Sequence, residues 1–213
     1  MHKKIIMACT AIAASAAIAA SSASAAHLRE GSTTGTTLGA GASITATNVG
    51  NVIFTAGELT TTCTSVDMSG TVTKDENGTI AAEIPALNPT LAGTGIGGDC
   101  TSPLGSVKWT VDSKLCFHLP ANTDAVAITG CGANVTFTLN VTNVITCQYT
   151  TEKIAAVITT DKTELPKDAE INISSQPLAR EGGSALFCPA NGQLDMEVVL
   201  TTTSGATLVF TEK

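Results

Sequence analysis

Asn134-Val-Thr-Phe-Thr-Leu-Asn-Val-Thr-Asn-Val-Ile-Thr-Cys-Gln-Tyr-Thr150 decides the fold class of this 213-residue chain. Apolar side chains fall on odd numbers (Val135, Phe137, Leu139, Val141, Ile145, Cys147, Tyr149), while Thr136, Thr138, Asn140, Thr142, Thr146 and Gln148 take the even ones. That two-residue period belongs to a strand with one face in a core and the other in water. The odd register survives across Asn143, so the stretch reads as one strand of about 50 Å, at ~3.3 Å per residue, or as two strands bent without slipping register. A strand that long exceeds the usual range, so a bend or bulge is expected near Asn143, with Cys147 facing inward and tied to the Cys188 loop.

The same alternation recurs on both sides. Val66, Met68, Gly70 and Val72 lead into the turn Lys74-Asp75-Glu76-Asn77-Gly78, and Ile80, Ala82 and Ile84 resume the pattern as a hairpin. Val107, Trp109 and Val111 form a strand. Leu115-Cys116-Phe117-His118-Leu119 and Val126-Ala127-Ile128 flank a Pro-containing turn as a second hairpin. Further strands run through Ile154, Ala156 and Ile158, then Ile171 and Ile173. Leu194 to Leu200, the Ser204-Gly205 turn and Leu208 to Phe210 read as a C-terminal hairpin. No segment sustains a 3.6-residue apolar period. The expectation is therefore an all-β fold, an antiparallel β-sandwich (Ig-like or related) with a β-barrel as the alternative.

Lys3 and Lys4 precede an Ala-rich apolar segment that ends at Ala23-Ser24-Ala25, which reads as a bacterial-type signal peptide over residues 1–25. The apolar run is shorter than the roughly 20 residues of a spanning helix, and no stop-transfer charges follow, so no transmembrane segment is expected in the mature chain. Residues 26–42, rich in Gly, Ser and Thr, read as a flexible leader that includes His27, and residues 43–213 as a single domain. Removing 25 of 213 residues leaves 188 and takes the formal charge from −7 to −9, because the removed segment carries two lysines and no acid. An acidic chain repels phosphate backbones, so nucleic acid is not an expected partner.

Cys9 leaves with the signal segment, and Cys63, Cys100, Cys116, Cys131, Cys147 and Cys188 remain. An even cysteine number in an exported chain implies three disulfides. Sequence alone does not choose among the roughly 15 connectivities. The working expectation pairs neighbours in order, Cys63–Cys100, Cys116–Cys131 and Cys147–Cys188, because each loop then joins consecutive strands. With no C-x-x-C pair and only His27 and His118 left as histidines, zinc is not expected.

Candidate chemistry is sparse. Gly93-x-Gly95-x-x-Gly98 matches a dinucleotide fingerprint by pattern, but Asp99, Cys100 and Pro103 follow where a helix should begin, so it reads as a loop. Ser184 in Gly182-Gly183-Ser184-Ala185-Leu186 lacks the final glycine of a nucleophile elbow, and His118 reads as a strand histidine. Asp195 and Glu197 share one strand face, which could hold a cation but more commonly is simply solvated. Asp75-Glu76-Asn77-Gly78 is too short for an EF-hand loop. Trp109, Phe137 and Tyr149 sit at alternating strand positions and read as core. Asn77, Asn134, Asn140 and Asn172 head Asn-x-Ser/Thr sequons, which matter only in a host that glycosylates them. No catalytic residue, cofactor or metal site is assigned.

Thr62-Cys63-Thr64, the Gly-rich loop ending at Cys100, Val107-Lys108-Trp109, Val135-Thr-Phe-Thr-Leu-Asn-Val141 and Thr146-Cys-Gln-Tyr-Thr150 together resemble small secreted, β-rich, disulfide-containing proteins of the actinobacterial type. More distantly they resemble secreted alkane-oxidation activators. The likeness spans most of residues 44–211, and the segment from Cys116 to Cys131 departs from it. It implies an extracellular or cell-envelope protein without established catalysis and carries over no functional residue. The expectations are thus a non-enzymatic secreted or envelope-associated structural or interaction protein with a partner still to be found, or an extracellular module that holds a small apolar ligand between its sheets.

Overall fold

Frequent threonine and β-branched residues favour extended backbone. The described residues (26–76, 79–84, 100–121, 123–141, 144–160 and 168–211 of a computed structural model) form strands and turns with no helix among them. β1 (His27–Glu30) stands apart. Then come β2 (Ser43–Asn48), β3 (Val52–Ala56), β4 (Leu59–Cys63), β5 (Asp67–Glu76), β6 (Thr79–Ile84), β7 (Cys100–Ser102), β8 (Gly105–Val111) and β9 (Leu115–Leu119). The chain continues with β10 (Ala125–Thr129), β11 (Val135–Val141), β12 (Ile145–Thr151), β13 (Ile154–Thr160), β14 (Ala169–Gly182), β15 (Asn191–Thr202) and β16 (Leu208–Thr211).

Every pairing is antiparallel, and the hydrogen bonding closes on itself. Two rings share the long β14–β15 ladder. One runs β14-β13-β10-β9-β6-β5-β2-β15, and the other runs β14-β12-β11-β8-β7-β4-β3-β15. Position by position, the strands of the two rings are successive pieces of the same chain. β2 continues into β3, β4 into β5, β6 into β7, β8 into β9, β10 into β11 and β12 into β13, while β14 and β15 run through both. The molecule is an up-and-down barrel of eight staves in two tiers, with the first stave closed against the last. At ~3.3 Å per residue, β15 spans about 40 Å and runs through both tiers.

The tiers meet at a waist where the staves break step. In β14 the register shifts between Ile173 and Gln176, and Ser175 takes a positive φ of 49°. The inserted residue moves the inward set from Ala169, Ile171 and Ile173 to Gln176 and Leu178. Amides freed by such breaks find side chains: Ser175 N donates to Asp195 Oδ1 at 2.7 Å, Ala155 N to Gln176 Oε1 at 2.7 Å and Val66 N to Asn48 Oδ1 at 2.6 Å.

Inside the tier that holds β3, β4, β7, β8, β11 and β12, aromatic rings fill the lumen. Phe54 lies 4.8 Å from Tyr149 and 5.8 Å from Trp109 between centroids, and Trp109 stacks on Phe137 at 5.6 Å. Gly192 faces inward beneath Phe54, where a Cβ would stand 2.5 Å from the ring. The other tier is lined by aliphatic side chains and Phe117. Its far end is stopped by β1 and β16, whose Leu28, Leu208 and Phe210 are buried.

The all-β, antiparallel, triply disulfide-linked architecture expected from the sequence is present, in its closed form. The three bridges are Cys63–Cys100, Cys116–Cys131 and Cys147–Cys188, as the neighbour pairing anticipated. Three expectations need correction. Residues 135–150 form a hairpin, β11 against β12, with Phe137 opposite Tyr149 and Leu139 opposite Cys147. Asn143 itself lies outside the described residues. The leader is not free, because His27–Glu30 pairs with β16 and Leu28 and Leu38 are buried. The C-terminal hairpin is not one either. After a single bridge from Thr201 to Thr207, the chain leaves β15, and β16 pairs with β1 instead. Leu28 supplies the reason, since its alternation with Arg29 gives the end of the barrel an apolar stopper that β16 alone cannot.

Candidate functional site

Among the described residues, neither candidate hydrolytic residue finds a partner set. His118 is exposed on β9, between Ala81 and Ala127 of the neighbouring strands, in the tier stopped by β1. Ser184 lies in the β14–β15 loop at the opposite end of the barrel. Asp195 is occupied with the Ser175 amide, and the carbonyl of Glu197 accepts the Val49 amide at 2.8 Å, so this pair stitches the waist. Glu83, Cys116 and Cys131 cluster at metal-like spacing, but both sulfurs are spent in a disulfide and Glu83 pairs with Lys114. Gly93, Gly95, Gly98 and Asn77 lie outside the described residues. Asn134, Asn140 and Asn172 are exposed.

The core residues sort as the sequence indicated, with Trp109, Phe137 and Tyr149 buried. Tyr149 keeps its hydroxyl on Pro189 O at 3.2 Å, and burial pushes the phenol above its ordinary value against the opposing charge of Arg180. Thr61 Oγ1 and Trp109 Nε1 are buried in the aromatic tier with no hydrogen-bond partner among the described residues. An apolar cavity lies in the other tier. It measures about 50 Å³ and is lined by Leu28, Ile44, Phe117, Phe137, Ile171 and Met196 among others. An apolar cavity that takes up benzene is roughly 150 Å³.

Two arrangements escaped the sequence reading. The first is Asp75 with His27. A register shift between Val72 and Lys74 turns Asp75 inward, where Oδ1 lies 2.6 Å from His27 Nδ1 and Oδ2 accepts the Leu28 amide at 3.2 Å. Burial pushes the Asp75 carboxyl up. The His27 contact, the Leu28 amide and Arg29 pull the other way. The signal was hidden because His27 stands in a Gly/Thr-rich context and Asp75 in a turn motif.

The second arrangement is a crown. The meander places the β3–β4, β7–β8, β11–β12 and β14–β15 turns at one end of the barrel. From these turns Leu104, Val144, Leu186 and Phe187 project, at 52%, 58%, 82% and 57% exposure. The β14–β15 loop is fastened beneath them by Cys147–Cys188, by Arg180 Nη1 donating to Cys188 O and by the Tyr149 hydroxyl on Pro189 O. Gly183, at φ +96°, sits where a Cβ would meet Cys188 Sγ and Thr146 O at 2.6 Å, so the loop can turn only there as glycine. Apolar residues in turns were the only trace of this surface in the sequence, and single ones carry no signal.

The outward wall is mostly threonine, asparagine and charge, as at Thr47, Lys108, Thr110 and Asn140, with Ile53 and Val157 exposed singly, which is unlike the continuous lipid-facing band of a membrane-spanning barrel. No described helix is long and apolar enough to cross a membrane. No protein-family model, no curated protein and no solved structure matches the chain.

Proposed function

We propose that this is a secreted, envelope-associated or extracellular interaction protein that makes its contacts through the crown and performs no catalysis. The carrying observation is the set of four large apolar side chains on the turns of one barrel end, two of them, Leu186 and Phe187, on a loop fixed with a disulfide. A soluble chain that buries Leu28, Leu208 and Phe210 at one end and leaves Leu186 and Phe187 in water at the other has an asymmetry that packing does not require. Three disulfides fit an oxidising compartment. A cavity of about 50 Å³ gives less support to a ligand held in the lumen.

The test is retention of the labelled protein on isolated bacterial envelopes, compared with Leu186→Ser/Phe187→Ser. The reading predicts retention of the native protein and its loss in the variant at unchanged melting temperature. Equal retention of both would overturn it.

A further inference from the structure

We infer that the crown docks onto an uncharged lipid surface, an inference that rests on the crown being the contact surface. Three independent observations converge on that occupant. The first is shape. Leu104, Val144 and the Leu186-Phe187 pair sit on three separate turns at the rim of the barrel, each presenting its own apolar tip. A protein partner of ordinary stability needs about 800 Å² per side with a hydrogen-bonding rim. Tips enter between lipid headgroups without such a match.

The second is charge. Residues 101–107, 139–151 and 183–194 contain no acidic or basic residue, and Glu58 is the sole charge on the four turns. Elsewhere the outer wall carries Asp67, Lys108, Asp112 and Glu152, and the whole chain has a formal charge of −7. A negatively charged molecule whose one end carries a single acid and no base is repelled by anionic lipid and meets no such penalty on neutral lipid.

The third is the backbone. An amide that leaves water without a partner opposes insertion, and each protruding residue has its amide bonded inside its own turn. Leu104 N donates to Ser102 Oγ at 3.2 Å, Val144 N to Val141 O at 3.0 Å, Leu186 N to Ser184 Oγ at 3.3 Å and Phe187 N to Ser184 O at 3.1 Å. The tips can therefore be dehydrated without orphaning these donors. The fastened loop also has little ordering left to lose on contact.

The experiment is flotation of the purified, oxidised protein with phosphatidylcholine vesicles, with and without added phosphatidylglycerol. Leu186→Ser/Phe187→Ser and Leu104→Ser/Val144→Ser are run beside it, with thermal melts as the fold check. The inference predicts that native protein floats with phosphatidylcholine, that phosphatidylglycerol does not increase the bound fraction, and that each double variant partitions at least about tenfold less at unchanged melting temperature. Native protein that stays unbound overturns the inference, as does binding that rises with phosphatidylglycerol. Light scattering of the same samples separates two failures. A dimer abolished by the crown substitutions, with no vesicle binding, makes a second copy the occupant and leaves the crown reading standing. Vesicle binding undiminished in both variants removes the crown from contact altogether.

Discussion

Asp75 Oδ1 lies 2.6 Å from His27 Nδ1, across 48 residues of sequence, and the second carboxylate oxygen takes the Leu28 amide. That side chain thus joins the β16 ladder in holding the first strand across the end of the barrel. Asp75→Ala leaves that amide and the imidazole without their partner and is expected to cost about 1–3 kcal/mol. It should also raise amide exchange at His27–Glu30 ahead of the rest of the barrel.

The same carboxyl gives a pH signature. Burial raises its pKa above the usual value of about 3.9, so the folded state holds the proton more tightly than the unfolded chain. Its contribution to stability is full below that unfolded value and is lost as pH rises through the raised folded one. Asp75→Asn keeps an acceptor for Leu28 and offers His27 a donor without the charge. Denaturant unfolding across mildly acidic to neutral pH should show a smaller loss with rising pH in Asp75→Asn than in the native protein. Identical pH slopes would sink this assignment.

Gly192 and Phe54 share one space, with 2.5 Å between the ring and any added Cβ. Gly192→Ala is expected to destabilise by about 1–3 kcal/mol through displacement of the ring. Adding Phe54→Leu should restore part of that loss, so the double variant should be more stable than the sum of the singles predicts. Strict additivity would show that the ring moves aside freely.

Of the three disulfides only Cys116–Cys131 reaches the surface, with Cys131 exposed and Cys63, Cys100, Cys147 and Cys188 between 0% and 2%. Limited reduction followed by alkylation should therefore label residues 116 and 131 first. Cys116→Ala/Cys131→Ala should cost about 3 kcal/mol, as expected for a loop of 15 residues. First labelling at 147 or 188 would contradict the burial.

Tyr149 is the only tyrosine, so ultraviolet titration reads it alone. Burial raises its pKa, so its neutral form favours the fold up to about pH 10, and that contribution fades as pH climbs through the raised value. The absorbance change should lag behind that of free tyrosine until the protein opens. Tyr149→Phe loses the Pro189 contact, at about 0.5–1.5 kcal/mol.

Alternation in residues 135–150 revealed the faces of the wall but concealed the turn. In β11 and β12 the paired residue numbers sum to an even value, as in Phe137 with Tyr149, so odd positions face inward on both arms of the hairpin. Parity therefore cannot tell a reversal from a straight run. The cysteine pairing was legible because bridges in a meander join neighbours. The crown was not, since its apolar residues come from three turns that sequence separates by tens of residues. Asp75 was missed because the β-bulge before it changes which parity faces in, and nothing in Thr73 or Lys74 announces that shift.

The seam between β2 and β15 joins Ile44 to Thr202. Together with the β3–β15 pairing it closes the first stave on the last, so while the other wall contacts join neighbouring staves and can form as the chain emerges, this seam must wait for the last stave. Closing so long a loop is entropically slow, and until it happens the sheet has two bare edges able to recruit strands from other chains. Loss of residues 191–202 would therefore leave an aggregation-prone ribbon in place of a slightly shortened barrel.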